Sequence, residues 1–186
     1  MDTSRASEAC STSSLSETPP PQHDVTESNI SGARDEFVAL LSLECVLSDF
    51  NERLARSNTP WSPAPPAQIA ALIVLPASSS DVSAIMKICS RRRVPVTAYS
   101  GGTSFSGALT ATRRGVCIDF RRMDQILAVH AEDMDVVVQP AVGWQDLNAH
   151  LATQGLFFPP DPGPGARIGG MVSSCHQFKT KLKLEY

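Results

Sequence analysis

Two clusters of proline partition this chain before any periodicity is considered. Pro60, Pro63, Pro65 and Pro66 crowd the stretch from Ser57 to Pro66, and Pro159, Pro160, Pro162 and Pro164 crowd a second one. Proline lacks an amide donor and its ring clashes with the preceding turn, so neither stretch can run through a helix or a central strand. The first is expected to be a linker over residues 58–66. The second carries Gly163 and Gly165 on either side of Pro164. Such a path is stiff and irregular, and it costs little further entropy to order around a ligand.

Regular structure is expected between these clusters. Residues 1–31 are rich in Ser, Thr and Pro, with only Leu15, Val25 and Ile30 strongly apolar. Burial there cannot offset the ordering entropy, so a disordered tail is expected. Residues 32–57 read as one helix, with Phe37, Leu40, Leu41, Val46 and Leu47 near helical spacing. After the linker, Ala70–Leu75 reads as a buried strand bounded by Pro76. A helix follows from Ser79 or Ser80 to Arg92, with Val82, Ile85, Met86 and Cys89 on one face. It ends in Arg91-Arg92-Arg93, a placement that the helix dipole favours without any nucleic acid. Val94–Ala98, Gly115–Phe120, Ile126–His130 and Asp135–Gln139 read as strands. Trp144–Thr153 reads as a second amphipathic helix, with Gly155 as its stop. The class is therefore α+β.

Bulk properties exclude several functions. The chain has 186 residues, 42% of them apolar, enough for one domain with a core. A net charge of −3 gives no general attraction to nucleic acid or anionic lipid. No run approaches the roughly 18–20 apolar residues that a membrane span needs. Cys10, Cys45, Cys89, Cys117 and Cys175 are scattered and contain no C-x-x-C pair. They imply reduced thiols rather than a disulfide or zinc framework. The N-terminus lacks the apolar core of a secretory signal, and its acidic residues make it a poor mitochondrial presequence.

Two loops carry candidate chemistry. Tyr99-Ser100-Gly101-Gly102-Thr103-Ser104-Phe105-Ser106-Gly107 follows a strand. Adjacent glycines allow positive φ and remove Cβ atoms, so successive amides can converge on an anion, with hydroxyls beside them. This is neither a P-loop nor a dinucleotide fingerprint opening a helix. The second loop is Phe157–Gly170, in which Gly169 and Gly170 offer another close backbone approach. Taken alone, the first reads foremost as a Gly/Ser turn and the second as a proline-rich connection.

Taken together, the segments stand in a telling order. Tyr99-Ser-Gly-Gly-Thr-Ser is followed by Gly115-Val-Cys-Ile-Asp-Phe with Met123 behind it, and by Val136-Val-Val-Gln-Pro-Ala. Trp144-Gln-Asp-Leu-Asn, Gly155-Leu-Phe-Phe-Pro-Pro-Asp-Pro-Gly and Ile168-Gly-Gly-Met come next. From about Ala67 to Ser174 this order resembles the PCMH-type FAD-binding domain of the vanillyl-alcohol-oxidase/p-cresol-methylhydroxylase flavoprotein superfamily. Within it, the resemblance is closest to the fungal D-lactate dehydrogenase (cytochrome) type. The resemblance implies a two-subdomain FAD-binding fold over 67–175, with a small parallel first subdomain over about 67–110 and then a mixed sheet. It implies FAD as cofactor, wrapped at its pyrophosphate by Ala98, Tyr99, Ser100, Gly101, Gly102, Thr103 and Ser104. Asp161, Pro162, Gly163, Pro164, Gly165, Ala166 and Arg167 would line the flavin side, followed by Gly169, Gly170 and Ser173. Some relatives carry, after the Gly-Gly pair, a histidine bonded to the flavin; Thr103 stands there in this chain, which implies non-covalent FAD.

The implied activity is oxidation of D-lactate or a related D-2-hydroxy acid, with electrons passed to cytochrome c in mitochondria; without that resemblance a cytoplasmic location would be the default. No catalytic or metal-binding residue is assigned. His23 and His150 have no partner pattern, and His130 reads as a surface or hydrogen-bonded histidine. After Cys175 the sequence His176–Tyr186 resembles nothing in the family, so a C-terminally truncated FAD domain without its substrate domain is expected. Two alternatives stand beside this reading. One is a catalytically dead flavin-domain fragment. The other is a superfamily oxidase of the glycolate oxidase subunit or alkylglycerone-phosphate synthase type.

Overall fold

The computed structural model describes residues 22–59, 61–174 and the strand 182–184. A four-stranded sheet has the order β1-β2-β4-β3, where β1 is Val46–Leu47, β2 Leu72–Val74, β3 Val96–Tyr99 and β4 Val116–Asp119. Strands β2, β4 and β3 are parallel, and β1 lies antiparallel on the edge. Every residue of β2 and β4 is buried. That is why β2 reads as an uninterrupted apolar run and β4 as one broken only by Asp119: a parallel sheet is covered on its two faces.

One cover is α3, Ser79–Arg92, which buries Ile85, Ile88 and Cys89. It begins at Ser79, and Ser78 is its N-cap, in a capping box with Asp81 that satisfies two otherwise orphan amides. Met86, expected on the buried face, is 45% exposed. Helix α1, Glu27–Leu41, packs against α3 through Ala33 and Phe37, both fully buried. Glu36 of α1 pairs with Arg91 and Arg92 of α3. Asn29 donates to the carbonyl of Arg92 at 2.9 Å and accepts from its guanidinium at 3.1 Å. The arginine run is therefore a clamp between two helices.

The N-terminal region differs from expectation in two ways. Residues 22–31, expected to be part of a disordered tail, contain the Thr26 N-cap and first turn of α1; residues 1–21 lie outside the described residues. The single helix expected over 32–57 is also broken. Ser42, with φ of 88°, ends α1. A 3-10 turn (Leu43–Cys45) and β1 follow, before α2, Phe50–Ser57, capped by Asp49. The apolar spacing that suggests continuity instead serves a strand, because Val46 and Leu47 pair with Val74 and Ile73.

The second sheet has the order β5-β6-β7: β5 is Ile126–His130, β6 Asp135–Val138 and β7 Leu182–Leu184. β5 and β6 form a hairpin, and β7 runs parallel to β6. The segment after Cys175, which resembles nothing in the family, thus supplies a third strand. The first sheet includes β4, so its lobe extends to Asp119 rather than ending near residue 110. Helix α4, Trp144–Ala152, packs Leu147 and Leu151 into a core with Val136 and Val138. Short helix α5, Ile168–Ser173, stands where the sequence reads as loop, because its two glycines are poor helix formers. No helix among the described residues is long and apolar enough to cross a membrane.

Candidate functional site

The Gly-Gly loop leaves the carboxyl end of β3, where Ala98 and Tyr99 are the last strand residues. Open parallel sheets place ligands at this end. Gly102 has φ of +68°, a left-handed turn that L side chains rarely adopt. Among the described residues, no backbone amide from Gly101 to Phe105 donates to a protein acceptor. The hydroxyls of Ser104 and Ser106 lie 3.1 Å apart, and Thr103 is exposed.

The structure brings the two sequence-derived loops together. A Cβ at Gly101 would stand 2.8 Å from the carbonyl oxygen of Gly165 and 3.1 Å from the amide nitrogen of Arg167. Gly165 also has positive φ and faces the Thr103 methyl group. Only glycine lets the two backbones approach so closely. The loops also meet at the Pro140 carbonyl, which accepts from the Ser100 hydroxyl at 3.0 Å and the Gly169 amide at 2.9 Å. The next residues continue this seam: Arg167 donates to the Ala141 carbonyl at 3.0 Å, and Ile168 to the Val142 carbonyl at 2.9 Å.

The Trp144-Gln-Asp-Leu-Asn segment has a physical role in this arrangement. Asn148 clamps Phe158, donating to its carbonyl at 3.2 Å and accepting from its amide at 2.6 Å. The Trp144 indole reaches the Gly163 carbonyl at 3.4 Å. One face of α4 thus holds both the start and the middle of the proline-rich loop.

The remaining candidate residues occupy varied environments. Pro162 is half-buried; Gly163, Pro164 and Gly165 are exposed; a methyl group added at Gly163 or Gly170 would meet nothing within 4 Å. Asp161 is exposed and makes no ion pair among the described residues. Ala166 is 7% exposed and belongs to the core, so only its backbone can face the loop. Ser173 bonds only locally, to the Gly170 carbonyl at 3.0 Å. Neither Asp161 nor Ser173 is drawn to the Gly101–Gly165 contact by any interaction among the described residues. His130 pairs with Asp135 across the β5–β6 hairpin.

Sequence reasoning missed what lies beneath Tyr99. Asp119, fully buried at the end of β4, accepts from Arg56 at 3.1 Å and from Arg121 at 2.7 and 2.8 Å. Burial pushes the Asp119 carboxyl above its ordinary value, with Arg56 pulling the other way. Burial likewise raises the Tyr99 hydroxyl, and Asp119 adds to it. The one available signal was an aspartate in an otherwise apolar strand.

Residues 70–177, more than half of the chain, match a family model described as an FAD binding domain. A mitochondrial D-lactate dehydrogenase (cytochrome) of Arabidopsis thaliana is 44% identical over 127 residues, covering 68% of this chain and 22% of that protein. A mitochondrial D-lactate dehydrogenase (cytochrome) of Kluyveromyces lactis is 42% identical over 108 residues, covering 56% of this chain and 19% of that protein. The matches span about a fifth of the length of these relatives. Among solved structures, an alkyldihydroxyacetonephosphate synthase superposes with a TM-score of 0.70 at 22% identity, over 84% of this chain and 33% of its own. That likeness concerns the fold.

Proposed function

This chain belongs to the FAD binding domain family, and from that premise we propose that its two apposed loops hold the pyrophosphate and flavin side of a non-covalent FAD. One observation carries the reading. Consecutive amides from Gly101 to Phe105 are without protein acceptors among the described residues, directly opposite a second backbone that lacks a Cβ at Gly165. A pyrophosphate accepts many hydrogen bonds without requiring a cationic side chain, so a row of free amides suits it. Thr103 and Ser104 supply hydroxyl donors beside those amides, and Arg167, half-buried and tied to Ala141, supplies the nearest fixed positive charge of the second loop. Ser100 and Gly169 fix the spacing of the loops through Pro140. Thr103 cannot form the histidyl bond to flavin, which supports non-covalent binding.

The activity we infer for the protein is oxidation of D-lactate or a related D-2-hydroxy acid, with cytochrome c as acceptor and mitochondria as location. The names of the relatives support it. FAD supplies the hydride acceptor for such chemistry. The contribution of these residues is to bind and orient that group; no acid or base is assigned among them.

The test is retention of flavin by the 186-residue chain during ultrafiltration with FAD, and in parallel with riboflavin, which lacks the phosphates. FAD should be retained and riboflavin should pass. Acid precipitation should then leave the flavin in the supernatant. Equal retention of both would remove the pyrophosphate assignment, and flavin fluorescence on the washed pellet would refute non-covalent binding.

A further inference from the structure

Helix α2 precedes the residues matched by the family model, yet it reaches the base of the candidate cofactor loop. Arg56 sits in its last turn. Its side chain is 14% exposed; Nε lies 3.1 Å from the Asp119 carboxylate and Nη1 lies 2.6 Å from Glu52. Arg121 completes the cluster on Asp119 at 2.7 Å, so two guanidinium groups face two carboxylates. Held there, the Arg56 guanidinium carbon stands 5.9 Å from the centroid of the Tyr99 ring, within cation–π range. The Tyr99 hydroxyl in turn lies against Gly102: a Cβ at Gly102 would be 2.6 Å from it. That hydroxyl makes no hydrogen bond among the described residues, so the position of the ring depends on packing and on Arg56.

We propose that Arg56 is a positioning residue for the flavin loop: Asp119 anchors it, it fixes the Tyr99 ring, and Tyr99 sets the path of the backbone at Gly102. The proposal rests on the reading that this loop holds FAD. It makes helix α2 part of the cofactor site, although Arg56 touches no reacting atom. A guanidinium plane matters here, since a lysine keeps the charge beside Asp119 but cannot stack on the ring in the same way.

The experiment compares the full 186-residue chain with Arg56→Lys, Tyr99→Leu and the double variant. FAD affinity is measured by quenching of flavin fluorescence, and the urea midpoint is measured without FAD. Arg56→Lys should weaken FAD binding about fivefold. Tyr99→Leu should weaken it at least as much, and the double variant should bind no worse than Tyr99→Leu alone. An Arg56→Lys chain with a lowered midpoint but unchanged FAD affinity would make Arg56 merely structural and overturn the proposal. Additive losses in the double variant would overturn the path through Tyr99. If Arg56→Lys does not fold, Tyr99→Phe decides: it keeps the ring and should bind FAD more tightly than Tyr99→Leu, and equal affinity of the two overturns the proposal. A wild-type chain that retains no FAD would instead remove the cofactor reading itself, and this inference with it.

Discussion

Gly101 is the position at which one added carbon tests the apposition of the loops. Its methyl group would meet backbone atoms of Gly165 and Arg167 at 2.8 and 3.1 Å, which cannot rotate away. Gly101→Ala should therefore destabilise the chain by roughly 1–3 kcal/mol, as overpacking does. Gly163→Ala, with nothing within 4 Å, should leave the urea midpoint unchanged. Equal midpoints for both variants would mean that the loops do not touch. The buried thiols give a second test at this scale. Burial pushes Cys117 up to about 12, with Asp119 adding to it, and Cys89 up to about 11. Both stay protonated at pH 8, and the thiolate is the nucleophile. Iodoacetamide should leave both unmodified in the native chain and alkylate both in urea, which peptide mass spectrometry reads directly. Modification of either in the native state would contradict the burial of Cys117 in β4 and of Cys89 on α3.

At the level of elements, the clamp of α1 on α3 is a pH-dependent contact. Its hydrogen bond from Arg92, with Arg91 adding charge, holds the Glu36 carboxyl below its ordinary value of 4.5. A depressed folded value means that the stabilisation is present above 4.5 and is lost as pH falls through the folded value. Glu36→Gln should then lower the urea midpoint at pH 7, and the difference from wild type should close as pH falls below 4.5 and through the lowered folded value. A difference that persists at low pH would point to lost packing instead. The legible elements are those with an uninterrupted period: β2, α3, β5, β6 and α4 stand within a few residues of their expected places. The break at Ser42 is hidden because Leu40, Leu41, Val46 and Leu47 keep helical spacing across it while serving different elements. The start of α1 is hidden by its polar neighbours, among which Thr26 acts as a cap. In the site, both loops are legible from their glycines and prolines. Arg56 is not, because it meets Asp119 from 63 residues away in sequence.

For the whole molecule, the family segment does not close its own core. Phe37 and Ala33, both outside residues 70–177, are fully buried against the α3 side of the first sheet. Removing a buried phenylalanine side chain costs about 3–5 kcal/mol, a large part of the roughly 5–15 kcal/mol that holds a domain together. A chain starting at residue 67 should therefore elute as aggregate in gel filtration, while one starting at residue 22 should elute as a sharp, soluble peak. A soluble, cooperatively melting chain from residue 67 would refute this. The seam at Pro140, Ala141 and Val142 has a different character from that core. Its acceptors are carbonyl groups of the main chain, receiving bonds from Ser100, Gly169, Arg167 and Ile168. Substitution exchanges side chains and leaves peptide carbonyls in place. The acceptors are therefore out of reach of point mutation, and the exposure of the seam to substitution lies with its two side-chain donors, the Ser100 hydroxyl and the Arg167 guanidinium.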